Sequence, residues 1–215
     1  MNNPAAPDNF DSHSWLVDVS RLRLPIIPTE LFNRPGECVL EIGSGEGEFL
    51  VALAGMRPQW NLLGLEIKRK RALKAARLAA RTGASNVRFI HIDAAIAVRG
   101  LFRRCSFHGV YINFPDPWPK ERHKKHRLIN NAFLADLARL LEAGGFVDIA
   151  TDHAEYVCHI REAFASTAAF RSQASRPTPH GAMERPKTKY ERTFIEEGRK
   201  LFYLRYEKGV THPTS

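Results

Sequence analysis

Short apolar runs alternate along the chain with segments whose apolar residues recur at helical spacing. Most of these runs end at glycine, proline or an acidic residue, and a helical pattern follows. This alternation is typical of repeated strand–helix units and predicts a parallel sheet covered by helices. The predicted strands are residues 38–42, 61–65, 87–91, 110–114, 146–150 and 202–206, and the predicted helices are residues 48–56, 68–82, 128–142 and 154–165.

One α/β domain accounts for most of the 215 residues. We assign residues 27–215 to this domain and treat residues 1–26 as an N-terminal extension, because the extension begins with a polar stretch that holds two prolines. Residues 171–187 are polar, hold three prolines and show no period, which predicts a surface loop. In a doubly wound parallel sheet, functional side chains gather at the carboxyl ends of the strands.

The charge balance points to a class of partner. Thirty-two lysines and arginines oppose 23 acidic residues, for a formal net charge of +9, which favours a polyanion such as nucleic acid. No run of 18 apolar residues occurs, and the N-terminus lacks the regions of a signal peptide, so we expect a cytoplasmic protein with no membrane partner. Cys38, Cys105 and Cys158 show no metal-binding spacing, and we expect buried thiols.

Glycines dominate the turn after the first of these strands, where residues 41–47 are Glu-Ile-Gly-Ser-Gly-Glu-Gly. Glycine lets the backbone adopt a positive φ and approach a ligand closely. Glu66 ends the second strand roughly 20 residues later, where an acid accepts from both hydroxyls of a ribose. Asp93 follows the third strand, where it can accept from an adenine amino group. The turn therefore predicts a cofactor that contains adenosine.

Spacing and charge separate the cofactors that such a turn holds. The pattern G-x-G-x-G differs from the G-x-G-x-x-G of pyrophosphate-binding turns. Carboxylates at Glu41, Glu46 and Glu48 repel a pyrophosphate but attract a sulfonium and an ammonium group. We therefore predict S-adenosylmethionine rather than a dinucleotide.

The most distinctive stretch is residues 113–120, Asn-Phe-Pro-Asp-Pro-Trp-Pro-Lys, which we call the ledge. Its three alternate prolines remove backbone donors and restrict their neighbours to extended shapes, which predicts a stiff segment. The ledge presents Asp116, Trp118 and Lys120, and a carboxylate beside aromatic rings suits a flat heterocycle that stacks and donates from its edge. A basic run at residues 120–127 adjoins it, and we expect that run to contact phosphates.

The glycine turn resembles motif I, E/D-x-G-x-G-x-G, of the Rossmann-like class I methyltransferases. The resemblance implies their fold, a doubly wound and mostly parallel α/β sheet of seven strands with an antiparallel C-terminal strand. It also implies that S-adenosylmethionine is the methyl donor. The cofactor-binding residues that it implies are Glu41, Gly43, Gly45, Glu66 and Asp93.

The ledge with its basic run, the pair Thr151 and Asp152, and residues 188–191 resemble the bacterial tRNA (guanine-N7)-methyltransferase family over about residues 39–206. The resemblance implies methyl transfer to N7 of a guanine in the variable loop of tRNA. It makes Asp116 the catalytic carboxylate, which also approaches the cofactor. The substrate-binding residues that it implies are Lys120, Asp152, Thr188, Lys189, Tyr190 and Glu191.

Guanine N7 carries a free lone pair at neutral pH, so the expected reaction needs positioning rather than a general base. We expect Asp116, with Asp152, to accept from the guanine edge and to offset the positive charge that develops. No close pair of histidines combines with an acid at ligand spacing, so we expect no metal. Three alternatives stay open: the same fold acting on another RNA base or a small molecule, a dinucleotide-dependent oxidoreductase, and a non-catalytic RNA-binding module. The sequence also leaves open whether the protein is a monomer or a homodimer.

Overall fold

The computed structural model describes residues 15–173 and 185–209. Its strands are β1 Leu16–Val17, β2 Cys38–Ile42, β3 Asn61–Glu66, β4 Val87–His91, β5 Phe107–Asn113, β6 Leu141–Thr151, β7 Phe170–Gln173 and β8 Phe202–Lys208. Its α-helices are α1 Glu48–Met56, α2 Arg69–Thr82, α3 Ala94–Ile96, α4 Asn131–Leu140, α5 Ala154–Ala165 and α6 Lys189–Glu196. A π-helical turn, Ala97–Leu101, continues α3, and a 3-10 helix at Glu121–His126 follows the ledge.

These strands form one sheet in the order β1-β4-β3-β2-β5-β6-β8-β7. Strands β1 to β6 pair in parallel, whereas β8 runs antiparallel to both β6 and β7. The chain starts the sheet core at β2, winds outwards through β3 and β4, and then returns to build β5 and β6 on the other side. The topological switch therefore lies between β2 and β5, and a ligand crevice is expected outside the carboxyl ends of these two strands.

Helices cover both faces of the sheet. On one face, α1 and α2 pack against β2, β3 and β4 through Leu50, Leu53 and the small residues Ala75 and Ala79. On the other face, α4, α5 and the π-helical turn bury the larger apolar cluster. Because both faces are covered, β2 is buried at every position, which explains why all of its residues except Glu41 are apolar.

The predicted α/β class is confirmed, with some differences in detail. The sheet holds eight strands rather than the expected seven, because β1 adds to the outer edge of β4 through Leu16 and Val17. The helix predicted at residues 128–142 spans only 131–140. Asn130 starts it, since its Oδ1 accepts from the Phe133 amide at 3.1 Å, and β6 begins immediately after it.

Two predicted boundaries in other parts of the chain also shift. The strand expected at residues 110–114 runs from 107 to 113 and includes His108 and Gly109. The expected surface loop at 171–187 is only partly described: residues 171–173 belong to β7, and residues 174–184 lie outside the described part.

The described part of the predicted N-terminal extension, residues 15–26, packs against the domain. Trp15 Nε1 donates to the Ala84 carbonyl at 3.0 Å, and the buried Ile26 donates its amide to the Leu101 carbonyl at 2.8 Å. Residues 1–14 lie outside the described residues. These contacts join the first described residues to the turn after α2 and to the π-helical turn.

Cys38 is buried as expected, but the expectation is wrong for Cys105 and Cys158, which are exposed. Cys105 lies in the turn before β5, and Cys158 lies on α5, so neither is enclosed by the two core clusters. None of the helices described here is both long enough and apolar enough to cross a bilayer.

Candidate active site

A cavity of about 470 Å³ opens at the switch point, beside the carboxyl ends of β2 and β5. The glycine turn after β2 and the end of β5 form one wall, and α6 with the residue before it forms the facing wall. The predicted site residues that the structure brings together as its lining are Glu41, Gly43, Gly45, Thr188, Lys189 and Tyr190. The cavity thus joins the predicted cofactor turn to part of the predicted substrate segment.

The glycine turn uses its three glycines in two different ways. Gly43, Gly45 and Gly47 all have positive φ, at 76°, 58° and 83°. A Cβ placed on Gly43 or Gly45 meets nothing within 4 Å, so both face open space in the cavity. A Cβ on Gly47 lies 2.7 Å from the Ala75 Cβ and 2.8 Å from a ring carbon of Phe89. Gly47 therefore permits close packing of the turn on α2, while the other two leave room for a ligand.

Glu41 is a buried carboxyl group at the end of β2, only 2% exposed. Its Oε1 accepts from Asn113 Nδ2 at 2.9 Å, across the switch point, whereas its buried Oε2 has no hydrogen-bond partner. Burial raises its pKa to about 8, against the lowering effects of the Asn113 hydrogen bond and the Arg185 charge. This unpartnered oxygen at the cavity wall can accept from a ligand, and it attracts a cation when Glu41 is ionised.

Glu66 and Asp93 lie at the ends of β3 and β4 as predicted, but their oxygens already accept from backbone amides. Glu66, 4% exposed, accepts from Gly45 at 2.9 Å and from Lys68 at 2.8 Å. Asp93 Oδ1 accepts from Ala95 at 2.8 Å and Ile96 at 3.2 Å and so caps α3. Each carboxylate keeps free lone pairs for further donors. Neither residue lines the cavity itself.

The ledge leaves β5 with an unusual backbone. Phe114 and Trp118 have positive φ values of 50° and 41°, although neither is glycine. The predicted extended shape of the residues before the ledge prolines is therefore wrong for these two. Asp116 lies between them, is exposed, and makes no hydrogen bond or ion pair with another residue of the described ranges. Phe114 packs edge-on against Phe194 of α6, with ring centroids 5.4 Å apart. The ledge therefore lies beside the cavity and offers a carboxylate with free acceptor positions.

Arg127 holds the ledge in place through a buried side chain. This side chain is only 3% exposed. Its Nε donates to the Pro117 carbonyl at 2.8 Å, and its Nη2 contacts Glu155 at 3.0 Å. The guanidinium also lies 5.1 Å from the ring centroid of Tyr156. The last residue of the predicted phosphate-binding run is thus a buried support of the ledge.

The predicted substrate segment 188–191 forms the start of α6. Thr188 Oγ1 accepts from the Glu191 amide at 3.0 Å, and Glu191 Oε2 accepts from the Thr188 amide at 3.3 Å, which makes a capping box. Glu191 is 3% exposed and also accepts from the Tyr203 hydroxyl at 2.6 Å. Thr188 and Glu191 therefore build the helix start, while Lys189 and Tyr190 are exposed beside the cavity.

Arg185 connects this helix start to the glycine-turn wall. Its Nη1 donates to Asn113 Oδ1 at 2.7 Å, and its Nη2 contacts Glu191 Oε2 at 2.9 Å. Asn113 in turn donates to Glu41. A continuous polar network therefore runs from the end of β2 to α6.

Asp152 and Lys120 do not line the cavity. Asp152, 14% exposed, forms an ion pair with Arg199, whose guanidinium lies 3.9 Å from the Phe194 ring centroid. Lys120 is exposed at the start of the 3-10 helix after the ledge. Asp152 thus tethers the segment that follows α6, and Lys120 extends into solvent at the cavity's side of the sheet.

Sequence reasoning placed Asn113 in the ledge without a role of its own, and it missed Arg185. Asn113 opens the ledge, and a polar side chain at the end of a strand predicted to be buried was a usable signal. Arg185 falls in a segment predicted as a loop, so only its position just before the capping motif at 188–191 could have marked it. In the described ranges, no group of three or more His, Cys, Asp or Glu side chains is placed to hold a metal ion.

A family model described as "Putative methyltransferase" matches residues 35–204. A tRNA (guanine-N(7)-)-methyltransferase of Nitrosococcus oceani is 34% identical over 86% of this chain and 78% of its own length. The chain belongs to this methyltransferase family. A relative of the same name from Thermus thermophilus is 39% identical over 90% of this chain. The chain spans only 61% of that relative and 57% of the one from Thermotoga maritima.

Solved structures with the same fold are more distant in sequence. The TrmN structure from Thermus thermophilus aligns with a TM-score of 0.58 at 21% identity, over 84% of this chain and 47% of that one. The antibiotic-resistance methyltransferase Kmr aligns with a TM-score of 0.57 at 19% identity, over 82% of this chain and 88% of that one. These similarities confirm the class I methyltransferase fold.

Proposed function

We propose that this protein transfers a methyl group from S-adenosylmethionine to N7 of a guanine in tRNA, the guanine of the variable loop, in the cytoplasm. Relatives that carry the name of this activity share 31–39% identity with the chain. The observation that carries the proposal is one cavity, at the switch point, whose walls are an acidic glycine turn and the 188–190 segment. The basic run after the ledge and the net charge of +9 suit a nucleic-acid substrate.

The donor fits the cavity by space and by charge. Gly43 and Gly45 face open space, so a ligand can lie against the turn. Glu46 and Glu48 line the same cavity and offer carboxylates to a sulfonium or an ammonium group. Glu41 adds a buried oxygen without a partner, which carries negative charge once the pH exceeds about 8. Glu66 and the capping residue Asp93 lie at neighbouring strand ends, where their remaining lone pairs can accept from ribose and adenine.

The bound donor supplies an electrophilic methyl group, and the protein's residues orient the acceptor. N7 needs no deprotonation, so the barrier is lowered mainly by alignment, which supplies roughly 7–11 kcal/mol in well-ordered systems. Asp116 accepts from the guanine edge and stabilises the positive charge that the base gains. Its exposure and its lack of bonds to other described residues leave it available for this role. Asp152 follows the neighbouring strand β6, and its carboxylate is paired with Arg199.

The test is methyl transfer from labelled donor to an unmodified tRNA transcript, with the product nucleoside identified by mass and chromatography. We expect N7-methylguanosine, lost when the variable-loop guanine is replaced and unaffected by EDTA. Asp116→Asn should keep donor affinity and lose most of kcat, about 100-fold or more, which is the scale for removing one group that stabilises transition-state charge. Asp136→Asn, on α4 outside the cavity, is the matched control.

Each alternative has its own outcome. A different methylated nucleoside moves the activity to another base while it keeps the donor. Donor binding without transfer to any tRNA removes tRNA as the substrate. Normal turnover by Asp116→Asn removes Asp116 from the mechanism and leaves the cavity assignment intact.

A further inference from the structure

We propose that Arg185 is a positioning residue that couples the donor cavity to α6, so that binding of the donor and placement of the substrate segment strengthen each other. The inference rests on the proposed function, because it takes the cavity as the donor site and α6 as part of the tRNA-binding surface. It assigns a role to a residue outside the glycine turn, the ledge and the 188–191 segment.

The coupling is carried by consecutive hydrogen bonds. Glu41 Oε1 accepts from Asn113 Nδ2 at 2.9 Å, and Asn113 Oδ1 accepts from Arg185 Nη1 at 2.7 Å. Arg185 Nη2 donates to Glu191 Oε2 at 2.9 Å, and Glu191 Oε1 accepts from the Tyr203 hydroxyl at 2.6 Å. Asn113 uses both ends of its amide in this series, so its orientation is fixed by its two neighbours. A ligand that displaces Glu41 therefore also changes the hydrogen bonds at the start of α6.

Arginine is well suited to the centre of this network. The Arg185 side chain is 9% exposed, and its guanidinium lies 5.5 Å from the ring centroid of Phe49 and 5.2 Å from that of Tyr203. Its rigid fork reaches an amide oxygen and a carboxylate at the same time, which a lysine ammonium does with much less geometric control. Phe49 itself lines the cavity, so the guanidinium also supports a cavity wall from outside.

Another polar link between α6 and the glycine-turn side of the cavity is more exposed. Arg192 pairs with Glu48 at 3.2 Å, with side chains 51% and 39% exposed. Exposed ion pairs of this kind contribute little. The Arg185–Glu191 pair is buried on both sides, with side chains 9% and 4% exposed. Arg185 is thus the link through which the position of α6 depends on the opposite wall.

The charge of Arg185 affects the pKa of Glu41, a quantity that a purely structural residue would not change. The Arg185 cation opposes the effect of burial on Glu41 and lowers the pKa of that carboxyl, while Glu66 raises it. The other charged groups that line the cavity are Glu46, Glu48, Arg71 and Lys189. Ionised Glu41 is the form that attracts a cationic donor, so donor affinity should rise with pH through about 8 in the wild type. Loss of the Arg185 charge should move that midpoint upwards.

The experiment measures binding of S-adenosylmethionine and S-adenosylhomocysteine by calorimetry from pH 6 to 9, together with hydrogen exchange of the α6 amides with and without ligand. Variants are Arg185→Ala, Arg185→Lys and Asn113→Ala. The matched control is Arg205→Ala. Arg205 is another mostly buried arginine, 17% exposed, which pairs with Asp148 at 3.3 Å and does not line the cavity.

In the wild type we expect both ligands to slow exchange in α6. In Arg185→Ala, donor affinity should fall by about 5- to 150-fold, the range of coupling between two sites. The slowing of exchange should disappear, and the pH at which donor affinity is half-maximal should rise. Arg185→Lys should restore the midpoint but not the full affinity. Asn113→Ala should abolish the ligand-induced slowing of hydrogen exchange, while the capping box of α6 stays intact. Arg205→Ala should keep the ligand response and the midpoint.

Several results would overturn the inference. Wild-type ligand binding with no change in α6 exchange would do so, as would an Arg185→Ala variant with wild-type affinity and midpoint. If Arg185→Ala does not fold, Arg185→Lys and Asn113→Ala carry the same comparison. A wild-type protein that binds neither ligand contradicts the proposed function itself, and the inference falls with it. That result differs from normal binding without coupling.

Discussion

Replacing Glu41 by glutamine should flatten the pH dependence of the stability of the ligand-free protein. Burial is the main cause that raises the pKa of Glu41 from 4.5 to about 8, with a smaller contribution from Glu66. Asn113 and Arg185 lower that pKa but do not offset burial. Glutamine keeps an oxygen for the Asn113 donor and has no charge to bury. The variant therefore removes the titration and leaves the hydrogen bond in place.

The sign follows from proton binding. Between pH 4.5 and about 8 the folded protein holds a proton on Glu41 that the unfolded chain has released. The stability that this group contributes is fully present below pH 4.5 and is lost as pH rises through about 8. One pKa unit corresponds to about 1.4 kcal/mol, so the loss over the whole window is on the order of 4–5 kcal/mol.

The assay is urea unfolding of wild type and Glu41→Gln at a series of pH values from 5 to 9, without ligand. The difference in free energy of unfolding, wild type minus variant, should fall by roughly 1.4 kcal/mol per pH unit and level off above pH 8. Asp148, whose pKa burial also raises, titrates in both proteins and cancels in the difference. A difference that does not change with pH would refute the reasoning, because Glu41 would then be ionised in the folded protein at every pH measured.

Three further substitutions test the turn and the ledge. Gly47→Ala should lower the free energy of unfolding by roughly 1–3 kcal/mol more than Gly45→Ala, because both have positive φ but only the Gly47 methyl group collides with Ala75 and Phe89. Urea unfolding measures this contrast, and donor titration should show the larger loss of affinity in Gly45→Ala, whose methyl group enters the cavity. Arg127→Ala should lower kcat while donor affinity stays near wild type, because the bond to the ledge carbonyl is lost. Single-turnover transfer at saturating donor separates these quantities, and an unchanged kcat would show that the ledge holds its shape alone.

The central strands were predictable because a covered parallel strand is apolar on both faces. β2 and β4 begin and end at the predicted residues, and β3 extends by one residue to Glu66. Shorter elements depended on partners that spacing does not reveal. β1 has only two residues, and its pairing with β4 is decided by tertiary contacts such as the Trp15 carbonyl accepting from the Phe89 amide at 2.7 Å.

The candidate site also has parts with a recognisable sequence pattern and parts that depend on tertiary contacts. The glycine turn has a local signature, because positive φ and close approach need glycine at fixed spacing. The ledge has one too, in its alternate prolines. The roles of Asn113, Arg127 and Arg185 arise only when β5, α5 and α6 come together, since the Asn113–Arg185 and Arg127–Glu155 hydrogen bonds join residues far apart in the chain. Glu191 differs, because the motif that contains it was recognised in the sequence. Its burial and its bonds to Thr188 and Tyr203, which give it a structural role as well, could not be predicted.

The positive φ values of Phe114 and Trp118 have a consequence for how the protein can change. A non-glycine residue in such a conformation costs about 1–3 kcal/mol and persists only where its surroundings enforce it. Here the enforcement comes from Phe194 and Arg127 on either side of the ledge. In a population selected only for thermal tolerance, substitutions that let these two residues return to negative φ would raise stability. The same substitutions would lose the ledge shape that presents Asp116. Heat-stable variants obtained in that way should therefore be screened for methyl transfer at every round.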